Sequence, residues 1–347
     1  MSGNKRRRKR YSNKLLIPAI AIFVLAAVGI AFAANLDNAL DSGSEEIITV
    51  SIPAGSSTAS IGHSLAEKGV IGSATKFKLY AKLNGYEGKM KAGEYNFSPS
   101  MDLKEVINVI ISGKSNTAKF TIPEGFTVNQ TADKLASENL IDKEAFLKQL
   151  ESGSFDYPFM KYLPAGANRM EGFLFPETYH IYTTTTETEI IDKMLAQFDA
   201  VFTDKYYKRA KEMGYSVYDI ITVASLIERE TRVDSERAKV ASVIYNRLDI
   251  GMNLQIDATV QYALGKQKER LLYKDLEIDS PYNTYLHAGL PPGPICSPGE
   301  ASIKAALYPE DTEYYYYVLK SKNDTTHNFA KTGEEFEKYA AAYKKTL

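Results

Sequence analysis

SVYDIITVASLIERET, residues 216–231, reads as a helix that carries one glutamate, Glu228, on its apolar side. Ser216 with Asp219 three residues on is a capping-box start, and Val217, Ile220, Ile221, Ala224 and Ile227 keep helical spacing. At roughly 100° per residue, Val217, Ile221, Ala224 and Glu228 fall within about 60° of one another, while Glu230 lies near the opposite side. A carboxyl aimed into apolar surroundings has its charged form disfavoured, which suits a general acid working near neutral pH. An equally ordinary arrangement is a solvated helix end on which Glu228 pairs with Arg232 at i+4. The segment alone leaves both readings open.

Working outward, 347 residues with 44% apolar and 24% charged content suffice for two folded domains and exclude disorder throughout. The net charge of −1 hides an asymmetry. Lys5, Arg6, Arg7, Arg8, Lys9, Arg10 and Lys14 place seven positive charges and no acid in the first fourteen residues, so the remainder carries −8. An acidic body argues against a nucleic-acid partner, since phosphate binding needs a basic surface. Leu15 to Ala34 then runs 20 residues without a charge, enough for about 30 Å of hydrocarbon. With the basic block on its N-terminal side, the expectation is a single-pass transmembrane helix, a cytoplasmic tail (residues 1–14) and an extracytoplasmic body. Cleavage after Ala33 at Ala31-Phe32-Ala33 is the competing expectation, against which stands an apolar region longer than the usual h-region of about 7–15 residues.

Residues 35–46 are polar and acidic and read as a linker. From Ile47 a strand, two helices, a strand at Gly93–Phe97 and a short helix ending at Gly113 make a small α/β module, with a boundary near Ser115. Val50-Ser51-Ile52-Pro53-Ala54-Gly55 returns as Phe120-Thr121-Ile122-Pro123-Glu124-Gly125 at a spacing of 70 residues, with Leu65-Ala66 and Leu135-Ala136 at the same offset. Two units are too few for a solenoid. A duplicated strand-helix-helix element is the economical account. Further on, MEGFLFPETY (170–179) reads as a packed aromatic loop or the lining of a sugar groove. The long loop SPYNTYLHAGLPPGPICS (280–297) is too aromatic for disorder and reads as functional.

Four scattered histidines offer no ligand spacing, so neither a metal nor a cofactor is expected. The single cysteine, Cys296, allows no internal disulfide and reads as a small buried residue. There is no GxSxG elbow, SxxK or phosphate-cradling loop. Acid/base work on a carboxyl is what remains. Hydrolysis of a glycoside generally needs two carboxyls, and Glu230 faces away. One carboxyl is enough where the substrate supplies its own nucleophile, as the C6 hydroxyl of N-acetylmuramic acid does in peptidoglycan.

ASLIERET (224–231), Glu236-Arg237, VASVIYNRL (240–248), GMNLQIDATV (251–260), YNTYLHAGLPPGPICSPG (282–299) and HNF (327–329), with EGFLFPETY upstream, resemble the YceG-like endolytic murein transglycosylases from about Ile47 onward. The resemblance implies Glu228 as the catalytic acid/base and a LysM-like glycan-binding module at 47–115, followed by the catalytic domain at 116–347. Gln255, Asp257, Tyr282, Asn283, Thr284 and Tyr285 are then expected in the glycan cleft, with Glu171 and His327 as substrate-positioning residues. The expected fold class is α+β: transmembrane helix, LysM-like α/β module, mixed α/β catalytic domain. Expected partners are peptidoglycan glycan strands, the membrane, and wall synthases or division and elongation proteins. A hydrolytic muramidase using Glu228 with Glu171 or Asp257, and a non-catalytic glycan-binding scaffold, are the rivals.

Overall fold

The computed structural model describes residues 38–347 apart from 114–116, 167, 184 and 269. The chain divides into two compact units, to Thr117 and from Ala118. In the first, β1 (Ile48–Ile52) pairs antiparallel with β2 (Gly93–Phe97), with Val50 opposite Tyr95 and Ile52 opposite Gly93. Alternation sends Val50 and Ile52 inward, against Phe77, Tyr95, Phe97 and Ile107. Three helices complete this core: α1 (Thr58–Glu67), α2 (Ala74–Leu83) and α3 (Leu103–Ser112). The last starts on an Asp102–Glu105 capping box and stops at Gly113, whose φ of 71° favours glycine.

The second unit repeats the opening geometry. β3 (Thr117–Thr121) leads through Pro123-Glu124-Gly125 into α4 (Val128–Ser137), as β1 leads through Pro53-Ala54-Gly55 into α1, and both helices are ten residues long with a hydroxyl N-cap, Thr127 or Ser57. The partner strand differs: β3 pairs with β4 (Thr178–Tyr182). After α4 come α5 (Lys143–Ser152), α6 (Glu187–Val201), α7 (Asp204–Met213), α8 (Val217–Glu230), α9 (Asp234–Asp249), α10 (Asp257–Ala263) and α11 (Glu300–Leu307). The antiparallel pair β5 (Tyr316–Leu319) and β6 (His327–Ala330) and then α12 (Gly333–Lys344) close the chain.

Helix α8 is the axis of the second unit. Its capping box at Ser216 and Asp219 is formed, and every residue from Ile220 to Ile227 is buried. The apolar stripe read from spacing is therefore too narrow: α9 and α11 pack against α8, and Thr222 and Ser225 turn inward as well. Their hydroxyls donate to backbone carbonyls of Tyr218 and Thr222, which removes the penalty of burying them. The aromatic stretch 170–179 is packing, since Phe173, Leu174 and Phe175 are buried, with Phe173 stacked on Phe159 at 5.4 Å.

The expected fold class needs correction. The described architecture is a mixed α/β one, helices with three separate two-stranded sheets, and no transmembrane helix is part of it. Among the described residues no helix is long and apolar enough to cross a membrane. The longest, α9, has 16 residues, about 24 Å at 1.5 Å per residue against a hydrocarbon core of about 30 Å. The stretch expected to span, 15–34, lies outside the described residues, as do the basic tail and the site at Ala33.

Candidate active site

Glu228 stands in the last turn of α8, where the helix runs out at Thr231. Its Oε2 accepts from the Ser302 hydroxyl at 2.7 Å, the Gly299 N–H at 3.1 Å and Arg237 Nη1 at 3.3 Å. Helix α11 presents Gly299 and Ser302 at its start, and α9 presents Arg237, so two elements bring three donors to one carboxylate oxygen. Oε1 has no hydrogen-bond partner among the described residues. The seat is thus ionic and polar on one side, which corrects the expectation of purely apolar surroundings. The i+4 pairing with Arg232 does not form either: Arg232 is exposed, and the cation at Glu228 comes from α9. Arg237 is itself buried and held by Asp234 at 3.1 Å and by Ser302 at 2.5 Å.

Beside Glu228 opens a cavity of about 430 Å³, lined also by Glu230, Arg232, Gln267, Thr325 and His327. Glu230 is not the outward-facing bystander that spacing suggests. It accepts from the Tyr317 hydroxyl at 2.7 Å, and burial pushes its carboxyl up; the Tyr317 bond opposes that and the charge of Asp257 adds to it. Tyr317 belongs to the β5–β6 hairpin, which thus reaches the C-terminal end of α8. His327 lines the same cavity, with its ring Nδ1 2.8 Å from Glu236 Oε2 and its backbone N–H donating to the same carboxylate. Glu236 therefore fixes both the ring and the strand that carries it.

The other expected site residues separate into two groups. Tyr282 packs on Tyr262 at 4.8 Å, and both line a second cavity of about 410 Å³ that shares Arg229 and Gln267 with the first. Glu171 lies behind this pair, fully buried, accepting from the Val128 N–H at 3.0 Å and the Tyr262 hydroxyl at 3.1 Å. Burial pushes its carboxyl up to about 7 against those two hydrogen bonds. Tyr285 donates to Asp257 Oδ1 at 2.5 Å. Gln255, exposed and at φ 52°, has its N–H on the Thr284 carbonyl.

Asn283 and Thr284 are fully buried and do not present a polar edge to a cleft. Asn283 Nδ2 donates to the carbonyls of Leu276 and Ile278, and Thr284 Oγ1 accepts from the Ile256 N–H. They hold the 280–297 loop, whose own backbone groups need partners once the loop is packed. The same loop is fixed to α8 by Ile295 N–H donating to Ser225 Oγ. Cys296 is buried beside it, its thiol pushed up by burial, which suits a packing role. Among the described residues no cluster of His, Cys, Asp and Glu could hold a metal.

A model of the YceG-like family matches residues 50–342. The chain belongs to the YceG-like family. Within it, an endolytic murein transglycosylase of Bacillus subtilis is 38% identical over 315 residues, covering 88% of this chain and 87% of that protein. One from Streptococcus pneumoniae is 34% identical over 306 residues, 80% of this chain and 55% of its own. The crystal structure of a YceG-like protein of Listeria monocytogenes, 38% identical, superposes with a TM-score of 0.58 over 85% of this chain and 99% of that one.

Sequence reading of this YceG-like chain missed Arg237, Ser302 and Gly299 as the partners of Glu228, and Tyr262 as the partner of Glu171. Arg237 stood in the quoted Glu236-Arg237 pair and had no role assigned. Gly299 closed the quoted 282–299 stretch with no role assigned and nothing local marked Ser302, since both meet Glu228 from more than 70 residues away along the chain.

Proposed function

We propose that the chain is an endolytic murein transglycosylase that cuts peptidoglycan glycan strands internally at the MurNAc–GlcNAc bond, acting in the cell wall. The observation that carries the reading is the seat of Glu228: Oε2 is held by three donors, and Oε1 is left free on a carboxyl that lines an open cavity. A carboxyl fixed at one oxygen offers the other in a constant direction, as general acid/base catalysis requires. Glu228 gives a proton to the leaving glycosidic oxygen as the bond to C1 of muramic acid breaks. The C6 oxygen of the same sugar then bonds to C1, and its proton returns to Glu228. No water is added, and the product ends in 1,6-anhydro-muramic acid.

Family membership and the names of the relatives support the substrate class. Strand termination during wall synthesis and contact with synthases or division and elongation proteins belong to the same proposal, with the catalytic unit outside the cytoplasm where its polymer lies. Residues 47–115 serve as a LysM-like glycan-binding module and 116–347 as the catalytic domain, a division that the separate cores favour. Tyr282 with Tyr262 supplies an aromatic face to the glycan. Gln255, Asp257, Tyr285 and His327 act around it, and Glu171 holds Tyr262 in place.

Glu228→Gln keeps the size and the acceptor of the side chain, so it should fold as wild type and release no fragments. Mass spectrometry of products from uncrosslinked glycan separates the alternatives. Ends heavier by one water would replace the transglycosylase by a muramidase, and binding with no shortening by wild-type protein would leave a scaffold.

A further inference from the structure

The second copy of the duplicated element differs from the first at one position that meets the site: Ala54 is replaced by Glu124. Glu124 sits in the turn between β3 and α4, and this turn is joined to the start of α11 by Gly125 N–H to the Ser297 carbonyl at 2.9 Å and Ser297 N–H to the Phe126 carbonyl at 2.8 Å. A Cβ on Gly299 would collide with the Glu124 carboxyl. Gly299 itself has φ −74°, which any residue adopts, so its backbone does not require glycine. The missing side chain makes room for Glu124. The N–H of the same Gly299 holds Glu228 Oε2, so two carboxyls meet one backbone residue from opposite elements.

We propose that Glu124 is a positioning residue whose carboxyl, set across Gly299, forms a charge-coupled pair with Glu228. The inference rests on Glu228 being the acid/base of the proposed reaction. Arg237, Ser302 and Gly299 all donate to Glu228 Oε2, and donors of this kind stabilise a carboxylate rather than its acid. A second carboxyl opposes this, because like charges in one site cannot both be bare at low cost, and the last proton leaves the pair at higher pH than it leaves a lone carboxyl. Glu124 makes no hydrogen bond among the described residues, and its carboxyl is pushed up by loss of hydration and by Glu228 and Asp234, against Arg237. The charged groups around it are Glu228 and Arg229 on α8, the latter on the Gly125 carbonyl at 3.4 Å, and Asp234 and Arg237 on α9. When the proton of the pair passes to the leaving oxygen, both carboxyls are ionised, and the proton taken from the C6 hydroxyl restores the pair.

The test is the pH profile of kcat on glycan strands for full-length wild type, Glu124→Gln, Glu124→Asp and Gly299→Ala. Glu124→Gln should lose at least about tenfold on the alkaline side of the optimum and little on the acid side, because the fall in rate moves to lower pH. Glu124→Asp, which restores the charge, should recover most of it. Gly299→Ala, which displaces Glu124 but keeps the 299 N–H, should follow Glu124→Gln. A wild-type profile in Glu124→Gln, or a loss equal at all pH in the Gln and Asp variants, overturns the pair. A Glu228→Gln control that stays active instead overturns the assignment of Glu228.

Discussion

Glu171→Gln isolates one buried charge. In the folded chain Glu171 is 2% exposed and its carboxyl is pushed from 4.5 to about 7, mainly by burial. Its folded pKa lies above its unfolded one, so as pH rises through 4.5 the unfolded chain releases this proton while the folded chain keeps it. The unfolded state then binds fewer protons, and stability falls with pH until the folded group also ionises near 7. At about 1.4 kcal/mol per unit, that interval corresponds to roughly 3 kcal/mol of stability lost between pH 4.5 and 7 and constant above. Glutamine cannot ionise. It still offers an oxygen to the Val128 N–H, and its amide can donate to the Tyr262 hydroxyl. Urea unfolding of wild type and variant across pH 4 to 8.5 gives the difference directly, since every other titrating group cancels. Near pH 4 the two should differ by no more than the change in hydrogen-bond quality, about 1 kcal/mol. Towards pH 8 the variant should gain on wild type by roughly 3 kcal/mol. A difference that stays flat with pH would mean that Glu171 is ionised in the folded chain at pH 5, and the account of its burial would fail.

Three further outcomes follow from single contacts. Ser302→Ala removes the shortest hydrogen bond to Glu228 Oε2 and one from Arg237, and should lower kcat by about tenfold or more with KM nearly unchanged, as steady-state kinetics would reveal. Tyr317→Phe leaves the half-buried Glu230 without its donor and should cost about 1 kcal/mol, read as a lower midpoint in urea; an unchanged midpoint would show that water replaces the phenol. Asn283→Ala strands the Leu276 and Ile278 carbonyls and should cost about 2 kcal/mol while hydrogen exchange speeds up in the 280–297 loop; destabilisation with no change in that loop contradicts its stapling role.

How much of this was legible in the sequence depends on how far apart the interacting residues lie. The capping box at Ser216 and Asp219 and the end of α8 at Thr231 follow from neighbours within four residues, where spacing and cap chemistry act. Glu230 was misjudged because periodicity knows only that one face of a helix is apolar. It cannot know that Tyr317, 87 residues away, brings a hydroxyl to the end of the other face. The same gap exchanged Arg232 for Arg237. The i+4 rule favours the nearer arginine, but the tertiary turn between α8 and α9 delivers the one at i+9, and a buried carboxylate takes the cation that the fold brings to it. Asn283 and Thr284 were expected in the glycan cleft from the resemblance alone, whereas a packed loop of that length first has to satisfy its own carbonyls and N–H groups.

The duplicated element carries a signal of a different kind, one that sequence reading can use. Two copies of one strand-turn-helix unit share strand, turn and capped helix, so positions that match between them answer to the common geometry: Ile52 and Ile122 for the core, Pro53 and Pro123 for the turn, Gly55 and Gly125 for the left-handed φ of about 80°. A position that differs is free of that geometry and answers to what surrounds its own copy. Ala54 and Glu124 occupy such a position. A methyl group suffices where the turn faces solvent, and a carboxylate there would cost the unit nothing, so folding alone does not choose between them. At 124 the carboxyl is placed against Gly299, a residue lacking a side chain although its backbone would tolerate one. Two independent departures, a gained carboxyl in one strand-turn-helix copy and a missing Cβ at the head of α11, thus fit each other and meet beside Glu228, which is hard to account for by packing and direct to account for by proton transfer.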